Sequence, residues 1–419
     1  MRIVYIVNAH SAISRCWISY FIERGCDVQV ISSYPCHPDV LPGAKLHQIP
    51  VAFARFSRIE HGGIDASIAN RSLLMKGIAT LRTGPLSGFA TELRFWLGPL
   101  ELQRHLRRVR ELIAQISPDL IHAMRIPFEG ILAAKATPSE IPLVLSIWGN
   151  DFTLWASRNS IIAKQTRQAL QRANALHCDC QRDLDLAKRK WNFDSNKPTT
   201  VLPGAGGIER GLFHPGHADP NLRRDLRIAD DAPVVFNPRG FRDYVRNDVF
   251  FRAIPEVLKR HPKTVFVCAG MRSNPMADKW LRQFSIQENV RLLPSIPRSE
   301  MAQLFRLASI AVSPSLHDGT PNTLLEAMAS GCFPVAGDIE SVREWITNEV
   351  NGLLCDPTDP ESLASAITRA LAEQEMRSDG QKLNIGLIDE RAEYGKVMQQ
   401  AEDFYMRVVN VHRSRARIQ

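Results

Sequence analysis

Short apolar runs rich in Val and Ile alternate with segments of helical period along the whole chain, at residues 3–7, 28–31, 120–122 and 143–147, then at 234–237, 265–269, 310–312 and 333–336. Strand and helix in strict alternation build parallel sheets covered on both faces, because a parallel connection needs a crossover long enough for a helix. A Pro/Gly-rich stretch at residues 202–216 separates the two series. The pattern implies an α/β chain of two doubly wound, Rossmann-like domains facing one another across a cleft, where open sheets of this class take their ligands. We set the expected domains at 1–210 and 211–390, with a C-terminal helix and basic tail over 391–419 that packs back on the first domain. At 419 residues the chain has enough material for two cores.

Other classes are disfavoured. The opening MRIVYIVNAHSAIS carries too short an apolar run for a secretory leader and reads as a first strand. No stretch approaches the roughly 18 apolar residues that a membrane-spanning helix needs. The eight cysteines lack paired metal-site spacing and read as reduced thiols of a cytoplasmic protein. The formal charge of +8 is unevenly spread. Residues 1–210 hold 26 Lys/Arg against 17 Asp/Glu, a net of +9, and the remainder hold 26 against 27, a net of −1. Such a one-sided basic surface suits an anionic partner, such as lipid headgroups or a phosphorylated acceptor, or is simply a solvated face. Its densest segment, residues 100–116, sets Leu102, Leu106, Val109 and Ile113 at helical spacing, with Arg104, Arg107, Arg108 and Arg110 largely elsewhere. That is the pattern of a helix near a membrane, or of any amphipathic helix. The tail from His412 onward is expected to fray.

The chemistry concentrates in SPSLHDGTPNTLLEAMASGCFPVAGDIESVREWI. Here a strand runs into a polar turn, Pro321 stands at a helix start, and Leu324, Leu325, Met328 and Cys332 form the buried stripe. Glu326 falls four residues after Asn322 and leans back toward the helix mouth. That mouth, Gly319, Thr320, Pro321, Asn322 and Thr323, offers unpaired N–H groups and the positive end of the helix dipole to phosphate or sugar hydroxyls. Asp318 lies just before it. Alternatively Asp318 is a turn residue and Glu326 a solvated one.

The segment resembles the family 4 glycosyltransferases of GT-B fold. Their signature of an acidic residue, seven residues and a Glu is matched by Asp318-Gly319-Thr320-Pro321-Asn322-Thr323-Leu324-Leu325-Glu326-Ala327-Met328-Ala329 after Pro314-Ser315, with Asp where most members have Glu. Residues 201–215 look like the interdomain turn, and Asn351-Gly352-Leu353-Leu354 also matches. The resemblance implies that Glu326 binds ribose hydroxyls, Asp318 the transferred sugar, and amides near Pro321 and Asn322 the diphosphate. It implies Arg239 as a diphosphate cation. Position 244 is Tyr where a Lys is usual, so Arg242 or Arg246 takes the second role. Met271, Ile296 and Pro297 would border the nucleobase. In the first domain Asn8-Ala9-His10-Ser11 replaces a glycine pair, His122 and Arg125 follow one strand, and Trp148-Gly149-Asn150-Asp151 resembles a loop that usually opens on His. His10, His122 and Arg125 are thus candidates for sugar or acceptor contact. Asp151 either orients a hydroxyl or caps the helix after it.

The resemblance further implies retaining transfer from a nucleotide-diphosphate sugar, as substrate, to a glycan or lipid-linked acceptor in cell-surface polysaccharide or lipopolysaccharide assembly. No fixed metal or other cofactor is expected, and no nucleic acid. The enzyme would sit in the cytoplasm, at the inner face of an anionic membrane. Other readings stay open: a non-catalytic sugar-nucleotide sensor or scaffold, an epimerase or phosphorylase of the same architecture, and a dinucleotide-dependent dehydrogenase. Against the last, neither domain's first strand is followed by GxGxxG, and Gly204-Ala205-Gly206-Gly207 lies in the linker.

Overall fold

The computed structural model describes residues 1–54 and 87–416. The chain divides into two compact units, Met1–Gly206 with Met398–Gln419, and Gly207–Val397. Each unit is built on one all-parallel sheet.

In the first unit the strands are β1 (Arg2–Val7), β2 (Asp27–Ser32), β3 (Lys45–Gln48), β4 (Leu120–Ala123), β5 (Leu143–Ile147), β6 (Ala175–Cys178) and β7 (Thr199–Val201), in the order β3-β2-β1-β4-β5-β6-β7. Residues 3–7 of β1 are wholly buried, as they must be when helices cover both faces. The second unit has β8 (Val234–Asn237), β9 (Val265–Cys268), β10 (Val290–Leu292), β11 (Ile310–Ser313), β12 (Phe333–Gly337) and β13 (Leu353–Cys355), in the order β10-β9-β8-β11-β12-β13. Alternation along its strands feeds two cores: Val234, Phe236 and Val267 enter one, while Val235, Phe266 and Cys268 enter the other. In both sheets the strand order reverses once, between β1 and β4 and between β8 and β11. A crevice for a ligand opens at such a reversal, beyond the carboxyl ends of the strands.

The helix Tyr394–Ala416 begins in the second unit and continues in the first. There Trp17 Nε1 donates to Tyr405 Oη at 2.9 Å and Tyr20 Oη donates to Glu402 Oε2 at 3.1 Å. The basic tail stays helical to Ala416, and Arg413 pairs with Asp119 at 2.9 Å. Its last three residues lie outside the described ones. In the helix Ser87–Ile116 the stripe Leu102, Leu106, Val109 and Ile113 is buried against the sheet. Those four are core residues and are closed to any membrane.

Candidate active site

The reversal between β8 and β11 gathers most of the expected donor residues. Arg239 follows β8 and Asp318 follows β11. The Arg239 guanidinium pairs with the Asp318 carboxylate through Nη2 and donates from Nη1 to Thr323 Oγ1 at 3.1 Å. Both charged side chains are nearly covered, 8% and 14% exposed, so their attraction is little screened by water. The loops are tied to each other. Leu316 N donates to Tyr244 O at 2.8 Å, Arg239 N to Asn237 Oδ1 at 3.1 Å and Asn247 Nδ2 to Gly240 O at 2.9 Å. Gly240 has φ +67°, and its Cα lies 3.3 Å from where a side chain on Gly270 would begin, so a larger residue at 270 would push the two loops apart. Arg239 Nε keeps a buried N–H with no hydrogen-bond acceptor among the described residues.

The helix Asn322–Ala329 starts beside this pair. Its N-cap, Pro321, supplies no side-chain cap, and Asn322 Oδ1 is buried with no partner among the described residues. Trp345 Nε1 holds Thr320 Oγ1 at 3.1 Å, and Ser341 Oγ holds Asp318 O at 2.8 Å, which fixes the turn before the helix. An uncapped helix start beside an arginine has the donors and the positive charge that suit an anion.

Glu326 is buried on this helix, at 8% exposure, rather than solvated. Burial pushes its carboxyl up to about 7, and the nearby positive charge of Arg298 pulls it only partly back. Arg298 Nε lies 3.6 Å from Glu326 Oε1 while Nη1 bonds Glu209 Oε1 at 2.5 Å, and the guanidinium stacks 5.1 Å over Phe213. Arg298 and Glu209 are therefore part of this carboxylate's surroundings, and their sequence separation hid them. Deep burial of an acid beside a cation is how a carboxyl is poised to accept hydroxyl hydrogen bonds near neutral pH.

The other expected donor residues divide. Arg246 stands at φ +55° and is committed to Asp248, with bonds of 2.9 and 3.0 Å. Arg242 is exposed and, among the described residues, its side chain makes a single 3.2 Å bond to Tyr244 Oη, so of the two it is the less committed. Met271 is fully buried in a hydrophobic core and its N–H bonds Leu293 O, which removes its side chain from base contact. Ile296 packs partly buried against the other core and Pro297 caps the helix Arg298–Leu307.

In the first unit His122 is corrected from contact residue to core residue. It is wholly buried, and the chain of bonds around it has one consistent direction. Leu202 O can only accept, so His177 Nε2 carries the proton of their 2.9 Å bond. His177 Nδ1 then accepts from Ser146 Oγ at 2.7 Å, Ser146 Oγ accepts from His122 Nε2 at 2.7 Å, and His122 Nδ1 accepts from Tyr405 Oη. Trp17 completes the chain by donating to Tyr405. Burial drives both imidazoles neutral, His122 well below its ordinary value and His177 down to about 4.

Asp151 is also wholly buried, and it is no helix cap. Its oxygens accept from the Arg125 guanidinium at 3.1 and 3.2 Å, from Trp148 N at 3.1 Å and from Ile126 N at 3.3 Å. It joins the loops after β4 and β5 and aims Arg125, whose side chain is 37% exposed and lies 5.7 Å over the Trp148 ring. Trp148 Nε1 and Asn150 Oδ1 are buried without partners among the described residues, a signal the sequence did not carry. His10 bonds Pro35 O at 2.6 Å in the loop after β1. Among the described residues, Asp179, Cys180 and Asp183 bring possible metal-ligating atoms within 4.8 Å of one another. Arg182 donates to Asp183 Oδ1 at 2.8 Å and Gly149 N to Asp179 Oδ2 at 3.1 Å, so a guanidinium already offsets part of the group's charge.

Comparison with known proteins agrees with this geometry. Residues 218–382 match the model of the glycosyl transferases group 1, and residues 75–204 that of the glycosyl transferase 4-like domain. The chain is 25% identical over 220 residues to the D-inositol 3-phosphate glycosyltransferase of Corynebacterium efficiens, covering 50% of this chain and 51% of that one. It thus spans about half the length of the curated relatives it matches. Among solved structures, sucrose-phosphate synthase from Thermosynechococcus elongatus superposes with a TM-score of 0.75 at 15% identity, over 98% of this chain and 100% of the other. Anabaena HepE in complex with UDP superposes with a TM-score of 0.70 at 15% identity, over 96% and 99%. The signature around Glu326, the two parallel sheets and the two family matches converge: the chain belongs to the family 4 glycosyltransferases and has their GT-B fold.

Proposed function

We propose that the chain moves a sugar from a nucleotide-diphosphate donor onto a glycan or lipid-linked acceptor. The observation that carries this reading is the pairing of Arg239 with Asp318 and Thr323 at the β8/β11 reversal, beside an uncapped helix start and in front of buried Glu326. Arg239, with Arg242, would take the charge that grows on the diphosphate as the sugar–oxygen bond breaks. Glu326 would accept the ribose hydroxyls and Asp318 a hydroxyl of the sugar, and Arg298 would favour the ionised form of Glu326 against its burial. Binding of UDP by HepE supports a nucleotide donor of this kind.

On this reading Arg239 exchanges the Asp318 carboxylate for phosphate oxygens when donor enters, freeing Asp318 for the sugar. Loops of the first unit, with Arg125 aimed by Asp151 and the unpartnered Trp148 Nε1 beside it, would meet the acceptor. A cell-surface glycan built on a lipid carrier is the acceptor class that the +9 charge of residues 1–210 favours.

The test is release of nucleotide from a panel of UDP-, GDP-, ADP- and TDP-sugars by wild type and Glu326→Ala. One donor class turned over, with the variant slower by on the order of 100-fold, is expected. Absence of donor binding to wild type would overturn the reading.

A further inference from the structure

Nine large hydrophobic side chains stand exposed among the described residues, and four of them share one helix: Leu93 at 46%, Trp96 at 48%, Leu97 at 40% and Leu100 at 66%. Their spacing of three and four residues puts them on one face of the helix Ser87–Ile116. The same face continues with Arg104, Arg107 and Arg108, all exposed. Glu111 follows and is taken up by Arg107 at 2.8 Å. Phe95, Leu102 and Leu106 bury the opposite side in the first unit, so the exposed face is held in place. The eight residues 93–100 span about 12 Å of helix.

We propose that this face docks on an anionic phospholipid bilayer, the apolar end entering the interface and the arginines meeting headgroup phosphates. It rests on the lipid-linked acceptor reading and names the surface that would bring the enzyme to it. Contiguous exposed apolar side chains mark an interaction site, and an exposed Trp among them suits the headgroup level. Charge decides the occupant: three arginines on the face, within a half-chain of +9, complement an anionic surface. An interfacial helix lies about 5–10 Å deep, a depth these side chains reach without unfolding anything.

The full chain is sedimented with vesicles of equal phosphatidylglycerol and phosphatidylcholine, and with phosphatidylcholine alone, at low and high salt. Donor binding is followed in the same preparations. Wild type binds the anionic vesicles at low salt. Trp96→Ser with Leu100→Ser weakens that binding by at least about 10-fold, and replacing Arg104, Arg107 and Arg108 by Gln weakens it by on the order of 100-fold and flattens the salt dependence. Both variants keep the wild-type melting point and donor affinity. Three results overturn the proposal: wild type that ignores anionic vesicles, binding that survives the Trp96/Leu100 pair, or an oligomer without lipid that the same pair dissolves, which assigns the face to a second copy. Vesicle binding without donor binding would defeat the transferase reading alone.

Discussion

Polar side chains lie behind the carboxyl end of both sheets, yet they are disposed in opposite ways. In the first unit Trp17, Tyr405, His122, Ser146 and His177 pass each donor to the next acceptor and end on Leu202 O, neutral and sealed. In the second unit Arg239 and Asp318 are charged, and Arg239 Nε and Asn322 Oδ1 are left over. A closed network holds elements together, here the helix Tyr394–Ala416 against β4 to β6. One with unmet donors and acceptors is set for a ligand, because a buried polar atom without a partner is costly until something binds it.

Substitutions can break this contrast. The largest effect is expected from Arg239→Gln, which removes the side chain's charge; kcat/KM should fall by on the order of 1000-fold, and stability by about 3 kcal/mol because the nearly covered Asp318 carboxylate loses its partner. A comparable loss of stability with activity retained would make Arg239 a structural residue.

Glu326 sharpens the contrast through pH. Its folded-state value of about 7 lies above the ordinary 4.5, so the folded protein holds this proton more tightly than the unfolded chain does. Ionisation therefore costs stability as pH rises from 4.5 through 7. In ligand-free protein Glu326→Gln should raise stability by about 3 kcal/mol at pH 8 and little at pH 5, read by urea titration. Wild type should bind donor sugar about 10-fold more tightly at pH 8 than at pH 6, and the same substitution should abolish that tightening. A pH-independent stability difference would mean that Glu326 does not titrate in this range.

Tyr405→Phe acts on the closed network. It leaves His122 Nδ1 and Trp17 Nε1 buried without partners and should cost about 2 kcal/mol in a urea titration. Donor affinity should stay within about 2-fold, since the change removes no ligand contact. A large loss of affinity would place this network in the chemistry. The smallest effects separate two arginines. Arg242→Gln should weaken donor binding by about 3-fold, whereas Arg246→Gln should leave it unchanged and lose at most about 0.5 kcal/mol of stability with Asp248.

The fold was legible where strands are runs of buried apolar residues rich in Val and Ile, as in β1, β5 and β8. The segments β6, with Ala-Leu-His-Cys, and β3, β7, β10 and β13, of three or four residues each, carried too little pattern, and tertiary pairing made them strands. The site was legible in its local part. Glu326 stands one helical turn from Asn322 whatever surrounds it, and Asp318 and Arg239 follow strand ends. What was not legible depends mostly on residues far apart in sequence, Arg298 and Glu209 beside Glu326 and Tyr405 closing over His122; Asp248 is only two residues from Arg246, and the local backbone decides that the two pair. The burial of the Met271 side chain was not legible, because a strand-end residue can face the crevice or the core and only packing decides. The stripe at Leu102 and Leu106 was a true helical stripe turned into the core, and the face that stays exposed begins at Leu93, about two and a half turns earlier.

Amide hydrogen exchange with and without a saturating nucleotide-diphosphate sugar tests the central claim most directly. The account predicts new protection at residues 318–325 and 238–242 in wild type, absent in Arg239→Gln, with the already protected strands around His122 and His177 unchanged. Donor-dependent protection that leaves 318–325 untouched would contradict it.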